Sequence, residues 1–320
     1  ILKESYAMIN IKNKIRRGKM SSKYVLEVRN LNKTYGKKRV LNNVSLNVKH
    51  NEIVGFIGPN GAGKSTTMKC ICNLIYPDSG EVIVNGYDLF KNREKALGSQ
   101  AALIESPGLY QDMTGRDNIE LIANLRGITK ERVEEICKFT ELREALDRKV
   151  SGYSMGMKQR LGLGIAILSK PKFLILDEPT NGLDPTGVIK LRSTLQNLVN
   201  EEDISILFSS HQLGEVEKLA HRIVFINKGE IIEVPEKMSN IQKYIMQISD
   251  LEIVVEILIN ILGDEVVEII SPDSVRFEVQ NQDILSEILF QILSKKIKVH
   301  DIYKDNIDIE TIYEEIFSEA

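Results

Sequence analysis

Apolar residues along this chain fall into short runs bounded by Gly, Pro and Asn, and the character of the runs changes from one end to the other. Val25–Val28 and Val44–Val48 show brief β-rich patterns separated by Gly36 and a basic turn. Ile53–Ile57 is continuously apolar, as a strand buried on both faces would be, and Phe173–Leu176 and Ile204–Phe208 are two more buried-strand candidates. A Gly-rich loop follows the first of these runs and leads into a helical stretch over Ser65–Ile75. Pro77-Asp78-Ser79-Gly80 reads as a turn, and Glu81–Val84 as a strand closed by Asn85-Gly86. From Thr114 to about Ala145 the periodicity becomes helical, with Val133, Ile136 and Cys137 on one face, and a helix of mixed polarity, Pro185–Asn200, precedes the Ile204 run. This alternation predicts an α/β domain with a largely parallel sheet.

The pattern shifts near Pro235. Beyond it come a strand over Tyr244–Ile248 and a helix over Leu251–Leu262, opened by the cap-like Ser249-Asp250-Leu251-Glu252. A strand over Val266–Ile270 and a turn at Pro272-Asp273 follow. Val275, Phe277 and Val279 alternate with Arg276, Glu278 and Gln280, the signature of a half-buried strand. A helix over Ile284–Leu293, a strand over Ile297–Ile302 and a final helix over Ile309–Phe317 complete the order β-α-β-β-α-β-α, a ferredoxin-like unit with a tail helix.

Length and charge narrow the functional classes. The chain has 320 residues, 42% apolar and 27% charged, which is ordinary globular composition and, at roughly 150 residues per domain, suggests two domains. A net charge of −3 argues against a strongly basic nucleic-acid binder, and the absence of Trp removes the obvious platform for stacking single-stranded bases. No apolar run approaches the roughly 18 residues that span a bilayer; the nearest, Ile253–Leu262, is broken by Glu256 and Asn260. Cys70, Cys72 and Cys137 cannot pair evenly and read as reduced thiols. Residues 1–21 are read as a non-native or disordered extension: Arg16-Arg17-Gly18-Lys19-Met20 is what translation through a bacterial ribosome-binding site would give, which makes Met20 the expected start. The rival reading is a basic arm lying on acidic lipid.

Residues 58–66, Gly58-Pro59-Asn60-Gly61-Ala62-Gly63-Lys64-Ser65-Thr66, match G-x-x-x-x-G-K-[ST] between an apolar strand and a helix. Glycines let backbone N–H groups converge on phosphate oxygens, and the helix that starts near Lys64 adds its positive end. Lys64 is placed to reach the β- and γ-phosphates and Ser65 to offer a hydroxyl to Mg²⁺. The run Phe173–Leu176 ends in Asp177-Glu178: an aspartate there can hold Mg²⁺ beside Ser65, and the next carboxylate can accept a proton from an attacking water.

With these motifs in place the chain resembles the ATP-binding-cassette ATPases. Tyr153-Ser154-Met155-Gly156-Met157-Lys158-Gln159-Arg160 resembles the family's signature segment, with Met155 and Met157 in place of its usual Gly and Gln. Pro179-Thr180-Asn181-Gly182-Leu183-Asp184 resembles its D-loop and Ser209-Ser210-His211 its switch histidine, all in the family's order across roughly residues 24–235. The resemblance implies an ATP-binding domain over 22–235, with a helical subdomain at about 108–165; the pattern beyond it leaves an accessory α+β domain over 236–320. It implies a head-to-tail pair of copies in which Ser154 and Gly156 contact the γ-phosphate of ATP held by the partner. Tyr35 is then expected to stack on adenine, Asp184 to border the nucleotide, and His211 to sense the γ-phosphate.

Glu105, in Leu103-Ile104-Glu105-Ser106-Pro107-Gly108-Leu109-Tyr110, stands where most of the family has Gln, a residue that touches Mg²⁺ and the attacking water. Glu there, with the Tyr-Ser-hydrophobe-Gly-Met-Lys-Gln signature, resembles the bacitracin-resistance and lantibiotic-immunity exporters. The resemblance therefore implies an ATP-hydrolysing subunit, with ATP and Mg²⁺, on the cytoplasmic face of the cell membrane. It implies separate transmembrane permease subunits as partners, no nucleic acid, and a peptide antibiotic as cargo. Two alternatives stay open: an exporter ATPase of the same build for a drug, lipid or ion, and a soluble cassette ATPase that transports nothing.

Overall fold

The computed structural model describes residues 23–105, 107–232, 242–279, 281–305 and positions 313, 314, 316 and 317. The N-terminal extension, Ser106, the shift at Pro235 and most of the expected tail helix lie outside the described residues. The chain divides into two compact units at Ile232/Glu233.

In the first unit, β1 (Tyr24–Tyr35) and β2 (Lys38–Lys49) form an antiparallel pair, and β4 (Ser79–Val84) and β5 (Tyr87–Asp88) extend it in the order β2-β1-β4-β5. Both long strands run well past the β-rich patterns that predict them. Bulges in their register, with Asn30 at φ 50° and Asn43 at φ 55°, carry pairing through polar stretches where alternation fails.

The second sheet has six strands. Its middle consists of β3 (Ile53–Ile57), β7 (Phe173–Leu176) and β8 (Ser205–Ser209), with every residue buried, the two serines that bound β8 included. β6 (Gln100–Leu103) and β9 (Arg222–Asn227) flank them in parallel, and β10 (Glu230–Ile232) closes the edge antiparallel, giving the order β10-β9-β3-β8-β7-β6. The two sheets share a core in which Leu26, Leu31 and Val82 pack with Phe56, Met68, Phe173 and Ile175. Burial of each large side chain there contributes about 1.5–3 kcal/mol.

The helices are α1 (Lys64–Ile71), α2 (Arg93–Gly98), α3 (Gly115–Arg126), α4 (Lys130–Phe139), α5 (Met155–Ile167), α6 (Pro185–Glu202) and α7 (Leu213–Leu219). The helical stretch expected from Thr114 to Ala145 is broken because Gly127 caps α3 in the left-handed region and Thr129 starts α4 afresh. Thr114 and Asp117 form a capping box at the start of α3, and Val133, Ile136 and Cys137 are buried together on α4.

The second unit contains β11 (Gln242–Ile248), α8 (Leu251–Leu262), β12 (Val267–Ser271), β13 (Ser274–Val279), α9 (Gln282–Ser294) and β14 (Val299–Asp305). The antiparallel order β12-β13-β11-β14 is that of a ferredoxin-like sheet. Tyr244, Met246, Val275 and Phe277 face Val254, Leu258, Ile288 and Ile292 in its core. The cap expected at Ser249 does not form: Asp250 is the N-cap and makes no side-chain cap bond. Ser249 Oγ instead accepts from Lys298 N at 3.3 Å, and Ser249 N–H donates to the Lys298 carbonyl at 3.1 Å, which ties the helix start to the approach of β14. No helix of the described residues is long and apolar enough to cross a membrane.

Glu52, only 7% exposed at the entrance to β3, receives Arg222 Nε at 2.9 Å, Arg222 Nη2 at 3.2 Å and the Lys49 N–H at 2.7 Å. Burial opposes its ionisation, but the Arg222 and Lys49 hydrogen bonds outweigh burial and hold the carboxyl below its ordinary value. A depressed carboxyl stabilises the fold at neutral pH, and that stabilisation is lost as pH falls through the folded value. Glu52→Gln is therefore expected to cost about 1–3 kcal/mol at pH 7. Urea denaturation of both proteins from pH 7 to pH 3 should show the difference shrinking on acidification; a constant difference would contradict the ion-pair account.

Candidate functional site

Four elements end at one edge of the parallel sheet. Register pairs Leu103 with Leu176, Leu176 with Phe208 and Phe56 with Ser209, so the loops after β6, β7, β8 and β3 emerge side by side at the strands' carboxyl ends, where open α/β sheets bind ligands.

The loop after β3 is shaped by close approach. A Cβ at Gly58 would sit 2.1 Å from the Ile226 carbonyl oxygen, so only glycine lets the chain pass. Gly63 takes φ 115°, and a Cβ there would meet Leu41 at 2.8 Å. α1 opens directly on this loop with no side-chain cap, which leaves its first N–H groups facing the loop's concavity. Lys64 folds across the loop, its Nζ donating to the carbonyls of Gly58 at 2.6 Å and Pro59 at 3.2 Å. Burial pushes the Lys64 ammonium below its ordinary value, and Glu178 and Asp177 pull it back up. Ser65 and Thr66 are half-buried beside it, and Asn60 and Gly61 are exposed.

Asp177 is buried, and its Oδ1 accepts the Ser209 hydroxyl at 2.6 Å. The same hydroxyl oxygen accepts the Glu178 N–H at 2.9 Å. Glu178 adopts φ 52°, and its Oε2 meets His211 Nδ1 at 2.7 Å and the His211 N–H at 3.3 Å. Thus Asp177, Glu178 and His211 form one network through Ser209, a residue whose hydroxyl carries no periodic signal in the sequence.

Glu105 lies just beyond β6 at φ 67°. Its carboxylate is held by Lys69 Nζ at 2.6 Å, a pairing that the sequence reading missed. Downstream, Tyr110 is largely exposed, and the buried Asn118 grips its backbone in both directions, at 2.8 and 3.1 Å. Tyr35 ends β1, half-exposed, with Lys33 Nζ 5.3 Å from its ring centroid. Cys70 and Cys72 are free thiols pushed up to about 11 and about 12 by burial, so both stay protonated near neutral pH.

Ser154, Gly156 and Asp184 gather elsewhere. All three line a cavity of about 340 Å³ between α5 and α6, whose lining includes no residue of the phosphate loop. Ser154 caps α5, its Oγ accepting the Met157 N–H at 3.3 Å, and Asp184 caps α6, accepting the Gly187 N–H at 3.1 Å. Exposed Met155 packs over Gly182.

Ser65 and Asp177 present the hard oxygens that Mg²⁺ prefers, with one Asp177 oxygen engaged by Ser209. Among the described residues no group of three or more His, Cys, Asp or Glu could hold a metal alone. That donor set fits a cation completed by substrate phosphates and water rather than by a protein cage.

A family model described as ABC transporter matches residues 41–181. The bacitracin transport ATP-binding protein BcrA of Bacillus licheniformis is 39% identical over 210 residues, covering 65% of this chain and 69% of the relative. The lantibiotic transport ATP-binding protein SrtF of Streptococcus pyogenes is 41% identical over 208 residues, covering 65% of this chain and 89% of the relative. A dimeric ATP-binding cassette solved in a post-hydrolysis state with ADP and Pi aligns at TM-score 0.59 and 27% identity, over 65% of this chain and 97% of that one.

Ser209→Ala removes the donor to Asp177 and the acceptor of the Glu178 N–H together. It should lower stability by about 1–3 kcal/mol, the cost of leaving buried polar groups unpaired. Chemical denaturation reads this directly, and an unchanged midpoint would mean that water replaces the hydroxyl.

Proposed function

This chain belongs to the ABC transporter ATP-binding proteins, and from that premise we propose how its residues hydrolyse ATP and what the hydrolysis drives. It is the ATP-binding, ATP-hydrolysing subunit of an ABC transporter. The observation that carries the assignment of roles is the network at the sheet edge, in which Ser209 holds Asp177 and Glu178 while His211 holds the Glu178 carboxylate.

In this reading the backbone from Gly58 to Thr66 wraps the phosphates and Tyr35 supports the adenine. Lys64, released from the Gly58 and Pro59 carbonyls, pairs with the β- and γ-phosphates. Ser65 and Asp177 would hold Mg²⁺, with Glu105 facing the same cation; bound there, the ion neutralises charge on the phosphate oxygens. Glu178 takes the proton of the attacking water. His211 orients that carboxylate and reports the γ-phosphate. Ser154 and Gly156 line a cavity apart from the phosphate loop, and likeness to the dimeric cassette supports giving them to the ATP of a second copy in a head-to-tail homodimer.

The partners we infer are separate transmembrane permease subunits, which place the chain at the cytoplasmic face of the cell membrane. Likeness to BcrA and SrtF supports export of a peptide antibiotic, with a role in immunity or resistance. The second unit, beginning after Ile232, serves as an accessory domain.

Glu178→Gln should keep ATP binding and lower steady hydrolysis by about 10²- to 10⁴-fold, the usual worth of general-base assistance. Phosphate release and size-exclusion chromatography with ATP check it: the variant should accumulate as an ATP-bound dimer, and wild-type turnover would place the base elsewhere. For the cargo, Lys64→Ala in the native host should sensitise cells to bacitracin-like or lantibiotic peptides more than to unrelated drugs. Equal sensitivity to all would remove the peptide assignment and leave the ATPase reading untouched.

A further inference from the structure

Lys69 lies on the last turn of α1, within the helix that opens the phosphate loop, yet no part of the reading above uses it. Its ammonium bonds Glu105 Oε1 at 2.6 Å across 36 residues of sequence. Lys69 is held above its ordinary value chiefly by the Glu105 hydrogen bond, and the charges of Asp177 and Tyr35 also reach it. Lys69 lies five residues beyond Lys64 on the helix that starts at the phosphate loop.

Glu105 reaches this position in a left-handed backbone conformation, φ 67°, which L side chains adopt at a cost and keep only where neighbours impose it. The partner that its carboxylate meets there is an exchangeable one. The side chains of Lys69 and Glu105 are 28% and 69% accessible, and an exposed ion pair is weak. A hard divalent cation competes well for a carboxylate in that setting.

We propose that Lys69 is a positioning residue that competes with Mg²⁺ for the Glu105 carboxylate, so that Mg²⁺ arriving with nucleotide has to displace it. The inference rests on the assignment of Glu105 to the metal. With Gln at position 105 the lysine would lose its charged partner, so the acidic residue and the lysine work as a set. Metal binding then has to break the Lys69–Glu105 pair.

The test measures binding of a fluorescent β,γ-imido analogue of ATP to the full chain, once with Mg²⁺ and once with EDTA, and takes the ratio of the two dissociation constants. Removing the competitor in Lys69→Met should raise the advantage given by Mg²⁺ by about 2- to 5-fold, the range an exposed ion pair supports, and leave affinity in EDTA unchanged. Lys69→Arg should keep the wild-type ratio. Glu105→Ala should lower the ratio, and Lys69→Met should then add nothing in its background. If Glu105→Ala lowers the ratio but Lys69→Met does not raise it, the latch is wrong and the assignment of Glu105 to the metal stands. If Glu105→Ala leaves the ratio unchanged, that assignment fails and the inference falls with it. If Lys69→Met weakens binding in EDTA, Lys69 touches nucleotide or props its helix, and the latch is overturned.

Discussion

A buried carboxylate needs a donor, and Asp177 finds it in the hydroxyl of Ser209 on the neighbouring strand. The rest of the site depends on that bond. The hydroxyl also accepts the Glu178 N–H, so the residue after Asp177 turns into the left-handed region and its side chain points back to His211. Parallel pairing of β7 with β8 brings the two strand ends level, and β3 beside β8 brings the phosphate loop to the same edge. Strands buried along their whole length make that alignment firm, because slipping any of them would draw polar flanking residues into the core.

Local chemistry was legible in the sequence wherever one segment carried its own signal. The strand–loop–helix through Gly58 and Lys64 combines an apolar run, obligatory glycines and a helix start within a few residues, and the structure realises each of them. The alternation of Val275, Phe277 and Val279 likewise marks the buried face of its strand. Contacts between distant segments were not legible. Ser209 and Asp177 lie 32 residues apart and Lys69 and Glu105 lie 36 apart; neither a hydroxyl nor a surface charge imposes a periodicity that would announce its partner. The lengths of β1 and β2 escaped for another reason: bulges at asparagines keep the strands paired where the in–out pattern is lost. The carboxylate of Asp184, the residue expected to border the nucleotide, caps α6 within a single chain.

The two groups of motif residues behave differently inside one copy. Lys64, Asp177, Glu178 and His211 come together at the sheet edge, held by hydrogen bonds made within one copy. Ser154 and Gly156 face a different cavity, where the Ser154 hydroxyl is occupied in capping its own helix. A motif set divided in this way makes chemical sense if each catalytic edge receives the helix start of a second copy, adding a positive end to the γ-phosphate.

The division of the site between two copies is the central claim, and the dependence of ATP hydrolysis on protein concentration tests it most directly. Phosphate release per chain, measured with saturating Mg-ATP over a hundredfold range of protein concentration, should rise steeply at low concentration and level off once dimers dominate. A rate per chain that stays constant over the whole range, from a protein that remains monomeric with ATP bound, would contradict the account.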